Sequence, residues 1–188
     1  MIISLNDIAD AVAKLVGAAG VLIAGLGLRN TARVRQEDLR WRKATAAHDI
    51  LDEIHDHPFA SEAVTIIDCH LGGHTYDAPE KMAHCEGLTL DRAFEALRAS
   101  GGGEPWARYV YRCFDWFFYY LDRIGYHRNK GFLETEDVAG PLAPYATLLS
   151  SNLEQIEQLL DEHHYSHVRG LLGAVHDANR SASSLSTA

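Results

Sequence analysis

Apolar positions in this chain return at intervals of three, four and seven over most of its length, the spacing of one face of a helix. Val34, Trp41, Ala44, Ala47, Leu51 and Ile54 follow that spacing, which predicts one long helix from about residue 5 to 55. Asp56-His-Pro58 breaks it and restarts a second helix, because proline is tolerated in a first turn. Phe59, Ala63, Ile66 and Ile67 give that second helix its buried side, and Gly72-Gly73 ends it. Residues 71–88 read as a polar loop. Leu90, Phe94 and Leu97 mark a short third helix that stops at Ser100-Gly-Gly-Gly103.

The strongest element is predicted over 105–128, where Trp106, Tyr109, Val110, Cys113, Phe114, Trp116, Phe117, Phe118, Tyr120, Leu121 and Ile124 nearly encircle a helix. A helix apolar on almost every side belongs in the middle of a domain. Asn129-Lys-Gly131 closes it, and Thr135-Glu-Asp137 reads as the N-cap and acidic first turn of the next helix. Gly140-Pro141 and Pro144 are expected to interrupt that next helix. Leu153, Ile156, Leu159 and Leu160 mark another amphipathic helix, and Val168, Leu171, Leu172 and Val175 the last. No alternating run is long enough for a sheet, so the expected fold is all-α.

Charge changes this picture at one end. Residues 1–14 hold Asp7, Asp10 and Lys14, a net of −1. Residues 29–43 hold Arg29, Arg33, Arg35, Arg40, Arg42 and Lys43 against Glu37 and Asp38, a net of +4. The total of −9 therefore leaves −12 for residues 44–188. Between the first two segments, residues 15–28 carry no charge at all. Fourteen helical residues rise only ~21 Å against a hydrocarbon core of ~30 Å, so the segment must extend back to Ile8 to span a bilayer. That extension takes in Asp10 and Lys14, one turn apart, where they can pair while Lys14 snorkels. The positive-inside rule then puts the N-terminus outside and the acidic body in the cytoplasm. A buried core helix over residues 8–28 is the alternative. A cleaved leader fits less well, because its first residues should be positive. The expected organisation is a membrane anchor with basic collar over 1–35, a helical cytoplasmic domain over 36–180, and a disordered tail over 181–188.

Hydrophobic residues make up 47% of the chain, which excludes a disordered polypeptide, and three cysteines exclude a disulfide-stapled scaffold. The net negative charge argues against a nucleic-acid partner. Gly25-Leu-Gly27 lacks the third glycine and the preceding strand of a dinucleotide fingerprint.

Phe117-Phe-Tyr-Tyr-Leu-Asp-Arg-Ile-Gly125, then Lys130-Gly-Phe-Leu-Glu134 and Asp137-Val-Ala-Gly-Pro-Leu142, resembles the DUF4760 group of bacterial proteins. The resemblance covers roughly residues 5–175, with Gly140-Pro141 and the histidine-rich loop as departures. It implies an N-terminal membrane helix joined to a helical cytoplasmic body, and it transfers no catalytic residue.

Four groups of residues could carry chemistry. Cys69, His70, His74, His84 and Cys85, beside Asp68, fall within one loop and could supply a tetrahedral zinc site; no Cys-x-x-Cys pair anchors it, and scattered loop histidines are the plainer reading. His163 and His167 are spaced one helical turn apart, capable of chelation, but a solvated helix end is the plainer explanation, as it is for His48, His55 and His57. Arg169 and His176 match the loose Arg–His spacing of helical RNases of the HEPN type, in which arginine stabilises phosphate charge and histidine moves the proton. Trp106, Tyr109, Tyr111, Trp116, Tyr119 and Tyr120 could stack on a base, although aromatics at helical spacing are mostly core.

The resulting expectation is a non-enzymatic, membrane-anchored interaction protein, without cofactor or bound metal. Its partners would be membrane lipid and either itself or a larger membrane complex. The alternative is a soluble HEPN-like RNase using Arg169 and His176, or a metal-binding protein using Cys69, His70, His74 and Cys85. An inward-facing domain with an odd cysteine count should keep its thiols reduced. Labelling under denaturing, non-reducing conditions is therefore expected to count three free thiols, and a count of one would show a disulfide.

Overall fold

The computed structural model describes residues 5–77, 85 and 87–185, with the side chains of 28–77, 85, 87–182 and 184. The protein is all-α. Its helices are α1 (Leu5–Asp56), α2 (Ala60–Leu71), α3 (Leu90–Arg98), α4 (Pro105–Asn129), α5 (Thr135–Ser151), α6 (Leu153–Glu162) and α7 (Val168–Leu185). The chain divides into two units, Met1–Arg42 and Lys43–Ala188, with α1 running through the boundary.

In the first unit, Leu28, Val34, Leu39 and Trp41 are exposed, as are the collar arginines around them. The two collar acids each hold an arginine one turn away, Arg33–Glu37 and Arg42–Asp38, both at 3.0 Å. Among the described residues no helix is long and apolar enough to cross a membrane. The side chains of residues 8–27, on which the expected span falls, lie outside the described residues.

In the second unit α1 buries side chains. Ala47, Ile50 and Ile54 enter the core at spacings of three and four, with Leu51 beside them. Val34 and Trp41 do not share that face, and Ala44 is exposed too. The two steps of three from Trp41 through Ala44 to Ala47 carry these positions about 120° around the helix. The boundary between the two units falls at Arg42/Lys43.

Within this unit α4 packs on α2, α3 and α7, α5 packs on α7, and α3 packs on α6. Phe114, Phe117, Phe118, Leu121 and Ile124 of α4 are buried, along with Val110 and Cys113. The expectation of a central aromatic helix holds. Where α4 meets the start of α7, Gly125 is required: a Cβ there would stand 2.8 Å from both the Cβ and the carbonyl oxygen of His167.

Three local expectations are corrected. Pro141 and Pro144 sit inside α5 without ending it. Both are on its exposed side, where water can take up the carbonyls of Asp137 and Gly140 that lose their donors. The α5 cap is Glu134 rather than Thr135, in a box in which Asp137 Oδ2 accepts from the Glu134 N–H at 3.1 Å. The loop over 71–88 is not uniformly polar. Tyr76, Cys85 and Leu88 are buried, and Tyr76 and Leu88 exchange backbone hydrogen bonds of 3.0 and 2.9 Å. At the other end α7 continues to Leu185, past the expected start of a tail at residue 181, and residues 186–188 lie outside the described residues.

Truncating a buried phenylalanine typically costs ~3–5 kcal/mol. Phe117→Ala should lower the stability of the full chain by that amount in denaturant titration. Gly125→Ala should cost about 1–3 kcal/mol, because the His167 backbone must retreat. Wild-type stability in both variants would disprove the packing.

Candidate functional site

Among the described residues no group of three His, Cys, Asp or Glu side chains is placed to hold a metal ion. Cys69 is half-buried and its carbonyl accepts the His74 backbone N–H at 2.7 Å, while the His70 and His74 side chains are exposed. Cys85 is buried, and burial raises its thiol pKa. His84 lies outside the described residues. All three cysteines are free thiols, and burial pushes Cys113 up to about 12, which suits packing and not nucleophilic attack.

Arg169 is held by two α6 carboxylates, Asp161 at 2.8 Å and Glu157 at 3.2 Å. His176 lies two turns further along α7, its nearest acid being Asp177 at 3.9 Å. An arginine that must bind a phosphate would have to leave both acids first. Of the aromatic set, Tyr120 is buried, Tyr119 is exposed, and Trp106, Tyr109, Tyr111 and Trp116 are partly covered against the core.

The histidines near the C-terminus are not on one helix. α6 ends at Glu162 and α7 begins at Val168, so His163 and His167 lie in the connection and point to different partners. His163 joins a polar array that sequence spacing could not reveal, because its members come from distant segments. Its Nδ1 lies 3.0 Å from Asp115 Oδ1, and its Nε2 lies 2.8 Å from the Tyr111 hydroxyl. Asp115 also accepts the Tyr165 O–H at 2.6 Å. The Tyr111 hydroxyl stands 3.2 Å from Glu162, which accepts from Ser100 at 3.0 Å and Gln158 at 2.9 Å.

Carboxylate, imidazole and hydroxyl in this order are the arrangement of a base with its orienting acid. The hydroxyl, however, is poorly placed to ionise. Burial, followed by the hydrogen bond to Glu162, pushes Tyr111 up to about 12. The array instead ties the end of α6 and the α6–α7 connection to α4 and to the α3–α4 turn.

A second histidine has a defined task. His57 Nδ1 accepts the backbone N–H groups of Phe59 at 3.3 Å and Ala60 at 3.2 Å, taking the capping role that Phe59 cannot fill at the start of α2. Its ring lies against Trp116, with centroids 4.3 Å apart. Only the unprotonated Nδ1 can accept, and desolvation, assisted by Arg112, lowers this pKa below its ordinary 6.5.

The remaining feature is the surface of α1. Leu28 is 73% exposed, Trp41 69%, Leu39 58% and Val34 56%, interleaved with Arg29, Arg33, Arg35, Arg40 and Arg42. None of these four side chains is buried in this chain's core.

No family model, curated protein or solved structure matches this chain.

A histidine pKa depressed by folding contributes stability above its unfolded value, and that stability is lost as pH falls through the folded value. The melting temperature of the wild type should therefore drop more between pH 7.5 and pH 5 than that of His57→Asn, whose amide oxygen still accepts but does not titrate. Equal drops would show that the His57 cap does not govern the acid sensitivity.

Proposed function

We propose that this chain is a non-enzymatic, membrane-anchored interaction protein. Residues 8–28 act as a single-pass anchor with the N-terminus outside. The helical body lies in the cytoplasm, where it associates with itself or serves as an accessory subunit of a larger membrane complex.

The observation that carries this reading is the surface of α1 just after the uncharged stretch, where four exposed apolar side chains alternate with five arginines. In water such a face wastes apolar area at about 25 cal/mol per Å². At a bilayer interface its first turns are well matched, because Arg29 and Arg33 follow Leu28 closely enough to reach out to the phosphates, while Leu39 and Trp41 stand further along the helix. The 21 residues from Ile8 to Leu28 rise about 31 Å as a helix, enough for the hydrocarbon core. The resemblance to the DUF4760 group adds the same architecture. The Arg169–His176 reading loses support from the two acids that hold Arg169, and the zinc reading from there being, among the described residues, no group of three side chains placed to hold a metal.

Membranes from cells expressing the full chain should retain it in the pellet after an alkaline carbonate wash. Recovery in the supernatant would overturn the anchor.

A further inference from the structure

We propose that the chain forms a two-fold dimer through one face of the body, made by the outward sides of α1 and α4, with the arginine end of each copy lying on the aspartate end of the other. This rests on the self-associating form of the reading above and names its surface.

The face lies wholly within the unit Lys43–Ala188. The two helices run antiparallel along it, since Lys43 pairs with Glu134, Glu53 with Arg123, and the His57 ring lies 4.3 Å from that of Trp116. On α1, Ala47, Ile50 and Ile54 point into the core, and Asp49, Asp52 and Asp56 stand exposed on the opposite side. On α4, Arg108, Arg112 and Tyr119 recur at four and seven, which makes them one exposed stripe. The acids beside that stripe are already engaged: Asp115 accepts the Tyr165 hydroxyl at 2.6 Å, and Asp122 the His167 N–H at 2.7 Å. Arg112 leans on the Phe59 ring, 4.4 Å from its centre, and among the described residues no carboxylate pairs with Arg108 or Arg112. Across the seam, Asp52 has the exposed His48 imidazole at 3.4 Å.

The spacing of these charges chooses the occupant. Where His57 meets Trp116 the face has an aromatic centre, with Tyr119 45% exposed and its ring 5.6 Å from that of Trp116. Along the helices from that centre, Arg112 and Arg108 lie about 6 and 12 Å to one side, and Asp52 and Asp49 about 8 and 12 Å to the other. A two-fold axis lying in the face, at right angles to the line between its two ends, therefore carries the arginine pair of one copy onto the aspartate pair of a second. The same operation leaves the aromatic centres together. Such a patch is complementary to itself, as an isologous interface must be. Its charges fix the register of the two copies around an aromatic middle. A partner of uniform charge would be attracted at one end of this face and repelled at the other.

Sedimentation equilibrium of the full chain, at low salt in a mild non-ionic detergent, tests this. The wild type should sediment as a dimer. Arg108→Asp/Arg112→Asp makes both ends of the face acidic, and Asp49→Arg/Asp52→Arg makes both ends basic. Each variant alone should dimerise at least about tenfold more weakly, because like charges are then opposed. An equimolar mixture of the two restores every opposite-charge contact, so it should form heterodimers at the concentrations at which the wild type dimerises. Misfolded variants would not recover in this way. A dimeric wild type whose variants dimerise equally well, or whose variants fail to rescue each other, overturns this face and leaves self-association standing. A wild-type chain that is monomeric at every concentration overturns the self-association, and the face with it.

Discussion

Helix α4 buries side chains against α2, α3 and α7 at once, and it can do so only because one of its contacts is backbone against backbone. Gly125 lets the chain at His167 come within reach of α4 where any Cβ would collide with it. That approach sets where α7 starts, and α7 in turn supplies the surface on which α5 lies. Phe114, Phe117 and Phe118 then fill the space on the other sides, with ring pairs at 5.8 to 6.2 Å. Arg108, Arg112, Tyr119 and Tyr126 form the exposed stripe of α4, and the close crossing and the interlocking rings hold its other sides.

The second constraint is how a core rich in tyrosine satisfies its hydroxyls. Tyr145 donates to Asp68 at 2.9 Å, Tyr165 to Asp115 at 2.6 Å and Tyr76 to Glu62, while Tyr111 stands 3.2 Å from Glu162. Each bond crosses between separate elements: α5 to α2, the α6–α7 connection to α4, the 71–88 loop to α2, and α4 to α6. Among the described residues no buried side-chain nitrogen or oxygen lacks a partner. The body's acids are thus partly structural, each accepting a phenol that burial keeps protonated, as the raised pKa values of Tyr76, Tyr111, Tyr145 and Tyr165 reflect. This gives a reason for the acidic composition that involves no cationic partner.

Helices are legible from the sequence wherever one face is apolar and the ends carry their own punctuation. The long α1, the aromatic α4 and the Gly-Gly stop after α2 come directly from spacing and cap chemistry. The features that spacing misses depend on the third dimension. Prolines 141 and 144 break a helix only if their freed carbonyls are buried, and nothing local says which side they face. His163 and His167 share a spacing but not a helix, because the chain leaves α6 between them, with His164 at a φ of +58°. The Asp115–His163–Tyr111 array joins residues about fifty positions apart, and no motif registers that. By spacing His57 is one of several solvated histidines, whereas an imidazole before Pro58, at the head of a helix without a side-chain cap, is a cap signal in its own right.

These constraints also bear on the role of α1. Its later turns are held by Ala47, Ile50 and Ile54 in the core, by Lys43 on Glu134 and by Glu53 on Arg123, so the body has an internal reason to keep residues 43–56 helical. None of those contacts reaches residues 28–42, where the large apolar side chains are exposed and the ion pairs are of the one-turn kind that contributes only a few tenths of a kcal/mol. A helix packed into the body over its last turns but exposed over residues 28–42 fits the anchoring role proposed above. The basic collar favours the bilayer contact proposed above. Arginines amid exposed leucine and tryptophan carry a desolvation cost in a buried protein seam, whereas a headgroup layer solvates the charges nearest the anchor.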